Sequence, residues 1–178
     1  MAVVWTDAGG SQRMATAAIV AAILCVATIL GAYFFEFVLR YAPCPLCLTQ
    51  RIPYYVAIPL AIMVAIAAYA GASQRLVAAG LVLVAMTMLI GAGLGVYHSG
   101  VEWKWWAGPS DCSGPITNFG AAGGLLQQIE TTPVVRCDEA AWRLLGLSLA
   151  GYNTLISVAV AGIALWGAAA VKGDKADA

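Results

Sequence analysis

The sequence predicts an all-α membrane protein, a bundle of four transmembrane helices with a short and a long loop on one side. Hydrophobic residues make up 62% of the 178 residues and charged residues only 10%, against about half and about a quarter in ordinary globular domains. The apolar residues form four long uncharged blocks, and roughly 20 helical residues suffice to cross a hydrocarbon core. The net charge is zero, so nothing indicates a nucleic-acid partner.

The four predicted spans are residues 14–35, 52–72, 76–97 and 149–171, and we expect residues 1–178 to form a single integral membrane domain. The loops, at about 36–51 and 98–148, lie on one side of the membrane, and both termini lie on the other. The first block is longer than the apolar core of a usual signal peptide, and no convincing A-x-A cleavage site follows it. We therefore expect it to stay in the protein as a span.

The cysteines, rather than the basic residues, predict the orientation. Lys and Arg number four on the terminal side and five on the loop side, so the positive-inside rule does not decide. Four of the five cysteines lie in the two same-side loops, Cys44 and Cys47 in the first and Cys112 and Cys137 in the second. Because disulfides persist in oxidising compartments, we place these loops outside the cytoplasm. Cys25 lies within an apolar span, where we expect an inert packing residue.

Several kinds of site could use four cysteines. Zinc sites with four cysteines usually contain two close pairs, whereas Cys112 and Cys137 are far apart, so we predict no metal. Covalent haem would need a histidine where Leu48 stands. Two structural disulfides remain an alternative, although a Cys44–Cys47 bridge closes too small a loop to stabilise the fold much. The C-x-x-C pair is better explained as a dithiol that opens and closes.

The residues around the C-x-x-C pair favour a reactive thiol. Pro45 suits the first position of a helix, which makes Cys44 the cap and places Cys47 in the first turn. The partial positive charge of the helix N-terminus and Arg51, four residues after Cys47, would both stabilise a thiolate. The alternative for Arg51 is an arginine that merely extends toward the membrane surface.

A dithiol that oxidises others repeatedly needs an electron acceptor, and we expect a quinone. The chain has no G-x-G-x-x-G motif after a strand, so the acceptor should be a molecule that dissolves in the bilayer. His98, the only histidine, could donate to a quinone carbonyl, or could be an interfacial residue without a role. Glu36, at the end of the first span, could pair with Arg40 or Arg51 or move protons. Gly91 and Gly95 indicate close helix packing.

The long loop carries features of a membrane-surface segment. The tryptophans within residues 103–106 are typical of an interface. The stretch GAAGGLLQQIE at 120–130 predicts a short helix lying on the membrane. Its glycines favour mobility, which would let Cys137 approach Cys44. The alternative is a loose loop held by a static disulfide.

Three segments resemble one known family. They are PCPLCLTQRIPYY, YHSGVEW and RCDEAAWRLLGLSLAGYN, and they are similar to the disulfide bond formation protein B (DsbB) family of bacterial inner membranes. The resemblance covers essentially the whole chain. It implies a four-helix thiol:quinone oxidoreductase with periplasmic redox loops, both termini in the cytoplasm, and ubiquinone rather than menaquinone as the expected quinone.

The resemblance also implies roles for the loop cysteines. Cys112 would form a mixed disulfide with a DsbA-like periplasmic oxidase, and Cys137 would then attack Cys44. Cys47 would lie beside the quinone with Arg51 as its positive neighbour.

His98 corresponds to a family histidine near the quinone. The long loop is more glycine-rich and less charged than the family leads us to expect, which leaves the partner surface open. The vitamin K epoxide reductases share the chemistry but carry the C-x-x-C in a late helix, so the order here argues against them. The rival function is a non-catalytic assembly or channel protein with two structural disulfides.

Overall fold

The computed structural model describes residues 8–109 and 136–171. The helices in these ranges are α1 (Ala8–Tyr33), which continues into a π-helical turn (Phe34–Val38), then α2 (Pro45–Thr49), α3 (Ile52–Tyr69), α4 (Gln74–Glu102) and α5 (Leu149–Ala168).

Four helical segments in the described ranges are long and apolar enough to cross a membrane, as the sequence predicted. They are Gly9–Val38, Pro45–Tyr69, Gln74–Glu102 and Leu149–Ala168.

The long helices pack in a ring. Helix α1 packs on α3, α3 on α4, α4 on α5, and α5 back on α1, with α4 and α5 sharing the most extensive interface. Consecutive helices are therefore neighbours, which is the arrangement that short connections favour in a four-helix bundle. The ring brings the first-loop cysteines, the end of α4 and the start of α5 to the same end of the bundle.

Small side chains let the helices approach closely. A Cβ added at Gly95 would collide with the Thr154 side chain and lie 3.1 Å from the carbonyl oxygen of Ala150 on α5. This contact is what the Gly91/Gly95 spacing predicted, since small residues at helix interfaces let membrane helices pack by backbone contact. Cys25 is fully buried in the core, with its sulfur 3.9 Å from the sulfur of Met88.

Several helix boundaries differ from the sequence prediction, and α1, for example, begins at Ala8 rather than at residue 14. Helix α4 ends at Glu102 rather than near residue 97, so His98 lies inside the helix and not after it. Loss of hydrophobicity marks the edge of the membrane, whereas the helix itself continues until its backbone bonding stops. Between α2 and α3 the chain turns at Gln50 and Arg51, just before Pro53.

A short hairpin precedes α5. Arg143–Leu144 pairs antiparallel with Leu147–Ser148. The two turn residues between them, Leu145 and Gly146, have φ values of 50° and 83°, which is the left-handed pair that a tight two-residue hairpin requires. Ser148 then caps α5 by accepting a hydrogen bond from the Gly151 N–H. The predicted surface helix at 120–130 lies outside the described residues.

Candidate active site

The C-x-x-C pair lies at the N-terminus of α2, as the sequence predicted. Cys44 is the N-cap and Pro45 the first helical residue, and the Cys44 sulfur accepts a hydrogen bond from the Cys47 N–H at 3.2 Å. The two sulfurs are 2.7 Å apart, and both cysteines are free. As residues, Cys44 is buried whereas Cys47 is partly exposed.

The stabilising contacts fall on Cys44, although the sequence predicted them for Cys47. The hydrogen bond from the Cys47 side chain, helped by the imidazole of His98, lowers the pKa of Cys44 to about 5, against the opposing effect of burial. The reason is geometric: the residue that caps a helix turns its side chain toward the free N–H groups, so Cys44 receives the donors of the N-terminus. Arg51 meanwhile binds another partner.

Arg51 forms an ion pair with Glu36. Its Nη1 lies 2.6 Å from Glu36 Oε2, and both side chains are mostly buried. Glu36 lies in the middle of the π-helical turn, a kind of irregularity that often occurs at functional sites. The guanidinium carbon is also 5.3 Å from the ring centre of Tyr33, whose hydroxyl lies 2.9 Å from that of Tyr55. Of the pairings left open for Glu36, the structure has the one with Arg51.

His98 contacts Cys44 from α4. Its Nε2 is 3.7 Å from the Cys44 sulfur, and its Nδ1 is 2.5 Å from the side-chain nitrogen of Gln50. Glu102, one turn further along α4, places Oε1 3.9 Å from the same Nε2. His98 thus contacts the dithiol, whereas the sequence had suggested a donor to a quinone carbonyl, and both of its ring nitrogens face protein atoms.

Cys137 joins the first-loop cysteines in one buried cluster. It is fully buried and packs with Cys44, Leu46 and Val101, and Cys47 lies against the same cluster. Cys137 is disulfide-bonded. Its predicted partner, Cys112, lies outside the described residues. The structure therefore brings a residue of the long loop to the C-x-x-C pair.

The comparison with protein families decides what kind of protein carries this arrangement. The model described as "Disulfide bond formation protein DsbB" matches residues 13–167. The chain belongs to the DsbB family. As a DsbB-family protein it is a multi-pass inner-membrane protein that generates disulfide bonds.

Curated relatives agree with this membership. A disulfide bond formation protein B of Xylella fastidiosa is 30% identical over 143 residues, 78% of this chain and 80% of the relative. One of Polaromonas sp. is 28% identical over 152 residues, 79% of this chain and 82% of the relative. An uncharacterised protein, RP370, of Rickettsia prowazekii is 30% identical over 131 residues, 71% of this chain and 72% of the relative. No solved structure matches the chain.

Metal binding was not expected from the sequence. The sulfurs of Cys44 and Cys47 and a ring nitrogen of His98 do lie within 4.8 Å of one another. A dithiol that forms and breaks a disulfide also needs its two sulfurs close to each other and to a hydrogen-bond donor. In this DsbB-family protein we therefore assign the cluster to thiol chemistry.

Four further polar residues near the dithiol were not singled out from the sequence. Gln50, Asn153 and Tyr54 continue inward from His98 as a hydrogen-bonded chain, and Glu102 flanks the imidazole. The available signal was weak: each is a polar side chain within or beside an apolar block, which is costly unless it is paired. Local spacing says nothing about which of these residues meet across helices.

Proposed function

We propose that this protein is a thiol:quinone oxidoreductase that reoxidises a periplasmic DsbA-like dithiol oxidase. Electrons pass from the partner's thiols to Cys112–Cys137, then to Cys44–Cys47, and finally to a membrane quinone. The observation that carries the proposal is that Cys137 and Cys44 share one buried cluster while the Cys47 sulfur lies 2.7 Å from that of Cys44.

Electron transfer between the two pairs is a double thiol–disulfide exchange. The Cys137 thiolate attacks the Cys44 sulfur, the Cys44–Cys47 bond breaks, and its electron pair stays on Cys47. The Cys112 thiolate then attacks Cys137, and Cys44 leaves as a thiolate. A low-pKa thiol leaves faster in such an exchange, so a Cys44 pKa of about 5 suits this step.

The residues around Arg51, which follows Cys47 by four positions, fit a quinone. Cys47 is the less buried residue of the pair. Arg51 and the hydroxyls of Tyr33 and Tyr55 offer hydrogen-bond donors beside aromatic rings, and both tyrosines are exposed on the outside of the bundle. Such a surface complements a flat, apolar molecule with two carbonyl acceptors.

The bound quinone would accept the two electrons and two protons that the Cys44 and Cys47 thiols release when they form a disulfide. Arg51 would hold a carbonyl oxygen. His98 stays a candidate for the quinone as well, and ubiquinone stays the expected type. The contact that His98 makes with Cys44 favours a role in the exchange step.

This chemistry requires the redox loops to face the periplasm and both termini to face the cytoplasm. A disulfide at Cys137 supports that orientation, because such bonds persist in oxidising compartments. The rival function, a non-catalytic membrane protein with two structural disulfides, predicts a permanently bonded first-loop pair.

Purified protein given a reduced DsbA-like partner and a soluble quinone analogue tests the proposal. We expect Cys47→Ser to abolish quinone reduction and Cys25→Ser, a buried cysteine outside the pathway, to retain it. Cys137→Ser protein given the oxidised partner should instead form a mixed disulfide, because the Cys112 thiolate attacks the partner's disulfide and one partner thiol is released. Full turnover by the Cys47→Ser protein would overturn the proposal.

The two steps are separable by a second variant. Cys112→Ala should block oxidation of the partner and leave quinone binding intact, because the residues that face the quinone belong to the first loop, α1 and α3. Loss of quinone binding in Cys112→Ala would contradict this division of roles.

A further inference from the structure

A chain of hydrogen bonds runs from the dithiol into the membrane-embedded core. The side-chain nitrogen of Gln50 lies 2.5 Å from Nδ1 of His98, and Asn153 Nδ2 donates to Gln50 Oε1 at 2.7 Å. Tyr54 donates its hydroxyl proton to Asn153 Oδ1 at 2.7 Å. The chain joins the end of α2 to α4, α5 and α3, and Gln50, His98 and Tyr54 are buried.

The chain has a direction. The Tyr54 hydroxyl lies 3.0 Å from Ser157 Oγ as well, but it donates to Asn153 Oδ1, so the amide nitrogen of Asn153 faces Gln50. The oxygen of Gln50 accepts that bond, so its nitrogen must face His98. A ring nitrogen that accepts a hydrogen bond carries no proton, and a neutral imidazole must then carry its proton on the other nitrogen. That nitrogen is Nε2, which faces Cys44.

Two opposing influences act on the imidazole. The titratable groups that face it are Cys44, Cys47 and Glu102. Their negative forms, and the hydrogen bond between the ring and the Cys137 backbone, favour a doubly protonated, positive ring. The Gln50 amide opposes this, because a proton on Nδ1 would point directly at an N–H group 2.5 Å away. Protonating Nδ1 would therefore require the amides of the buried Gln50 and the partly buried Asn153 to turn over together, with the Tyr54 proton redirected to Ser157 Oγ.

We propose that Gln50, Asn153 and Tyr54 hold His98 as a neutral imidazole with its proton on Nε2, so that His98 serves the Cys44 sulfur as a hydrogen-bond donor and not as a base. Asn153 and Tyr54 are then positioning residues for thiol exchange at Cys44, although neither contacts a sulfur. This inference rests on the proposed function for its purpose, but its geometry does not depend on the quinone or on the thiol partner.

The single histidine makes the tautomer directly measurable. Protein labelled with ¹⁵N-histidine, purified in detergent without a histidine tag and reduced, should give one imidazole whose Nδ1 is unprotonated and whose Nε2 is protonated at pH 7. Protonation of both nitrogens, or of Nδ1 alone, would overturn the proposal. The nitrogen spectrum needs no turnover, so this result is independent of the quinone-reduction assay that tests the function.

Variants test whether the remote residues set this state. In Tyr54→Phe the Asn153 amide loses the donor that orients it. We therefore expect a fraction of the molecules to carry the His98 proton on Nδ1 instead of Nε2. The midpoint of Cys44 alkylation against pH should rise by about one unit, the effect of losing roughly one hydrogen bond to a charged group. Tyr152→Phe, which alters a neighbouring tyrosine bonded to Leu144, is the matched control and should change neither readout. An unchanged tautomer and midpoint in Tyr54→Phe would refute the positioning role.

Substitution of His98 itself distinguishes a donor from a cation. Glutamine places an N–H near the position of Nε2 but cannot become positive. We expect His98→Gln to keep the Cys44 midpoint within about half a unit of the native value, and His98→Leu to raise it by about one unit or more. If His98→Gln raised the Cys44 midpoint as much as His98→Leu does, the positive ring would be required, and the proposal would fail.

Discussion

The carboxylate of Glu36 holds the guanidinium of Arg51, with 2.6 Å between Glu36 Oε2 and Arg51 Nη1. The pair links the π-helical turn after α1 to the start of α3, four residues after Cys47. An arginine held in this way keeps a fixed direction, and its remaining N–H groups can bind an acceptor without further loss of side-chain freedom. If Arg51 binds the quinone as proposed, Glu36 fixes the direction of that contact.

Glu36→Gln should weaken quinone binding more than it slows the chemistry. The apparent KM for a quinone analogue should rise several-fold with kcat less affected, and the free energy of unfolding should fall by roughly 1–2 kcal/mol, between the values for surface and buried ion pairs. Steady-state quinone reduction and thermal unfolding in detergent measure the two effects. The control is Arg40→Gln, which changes an exposed neighbouring arginine. An unchanged KM in Glu36→Gln would show that the direction of the Arg51 guanidinium does not depend on Glu36.

Cys44 should react as a thiolate well below neutral pH. Its pKa of about 5 means that the thiolate fraction falls only as the pH drops through that value, whereas an ordinary cysteine loses its thiolate below about 8.5. Alkylation of the reduced protein between pH 4 and 8, quantified at Cys44 by mass spectrometry, should be half-maximal near pH 5. Cys47→Ala removes the hydrogen bond that lowers the pKa of Cys44 most, and it should raise the midpoint by more than one unit. A midpoint near 8 in the native protein would contradict the assignment of the thiolate to Cys44.

Close packing of α4 on α5 should make Gly95 intolerant of a side chain. Gly95→Ala introduces a methyl group against Thr154 and should lower stability by about 1–3 kcal/mol. Gly93 on the same helix has open space around an added Cβ, so Gly93→Ala should be neutral or slightly stabilising. Thermal unfolding of the two variants side by side is the measurement, and equal stabilities would mean that the interface can separate without cost.

Much of this architecture follows from the sequence, and the rest depends on contacts between helices. Uncharged blocks of sufficient length predict spans, and Pro45 after Cys44 predicts the start of α2, because these features act locally. The C-x-x-C spacing could not say which sulfur receives the donors. That depends on the side chain of the capping residue and on His98, which reaches Cys44 from a different helix.

The polar chain inside the bundle shows the same limit. Gln50, Asn153 and Tyr54 are each unremarkable in their own segments, and only the ring of helices brings them into one hydrogen-bonded series. The hairpin before α5 is easier to predict from the sequence, since a glycine at the second turn position favours a tight hairpin turn. Its strands are only two residues long, however, which is too short for an alternating pattern to appear.

The most direct test follows electrons from the first-loop pair alone. A Cys112→Ala, Cys137→Ala protein, reduced and freed of reductant, is mixed with a soluble quinone analogue, and the quinol formed and the thiols lost are counted. We predict one quinol for each Cys44–Cys47 disulfide formed, with Cys25 still a free thiol. Quinol formation without loss of the two thiols, or no quinol at all, would contradict the claim that this dithiol delivers its electrons to a membrane quinone.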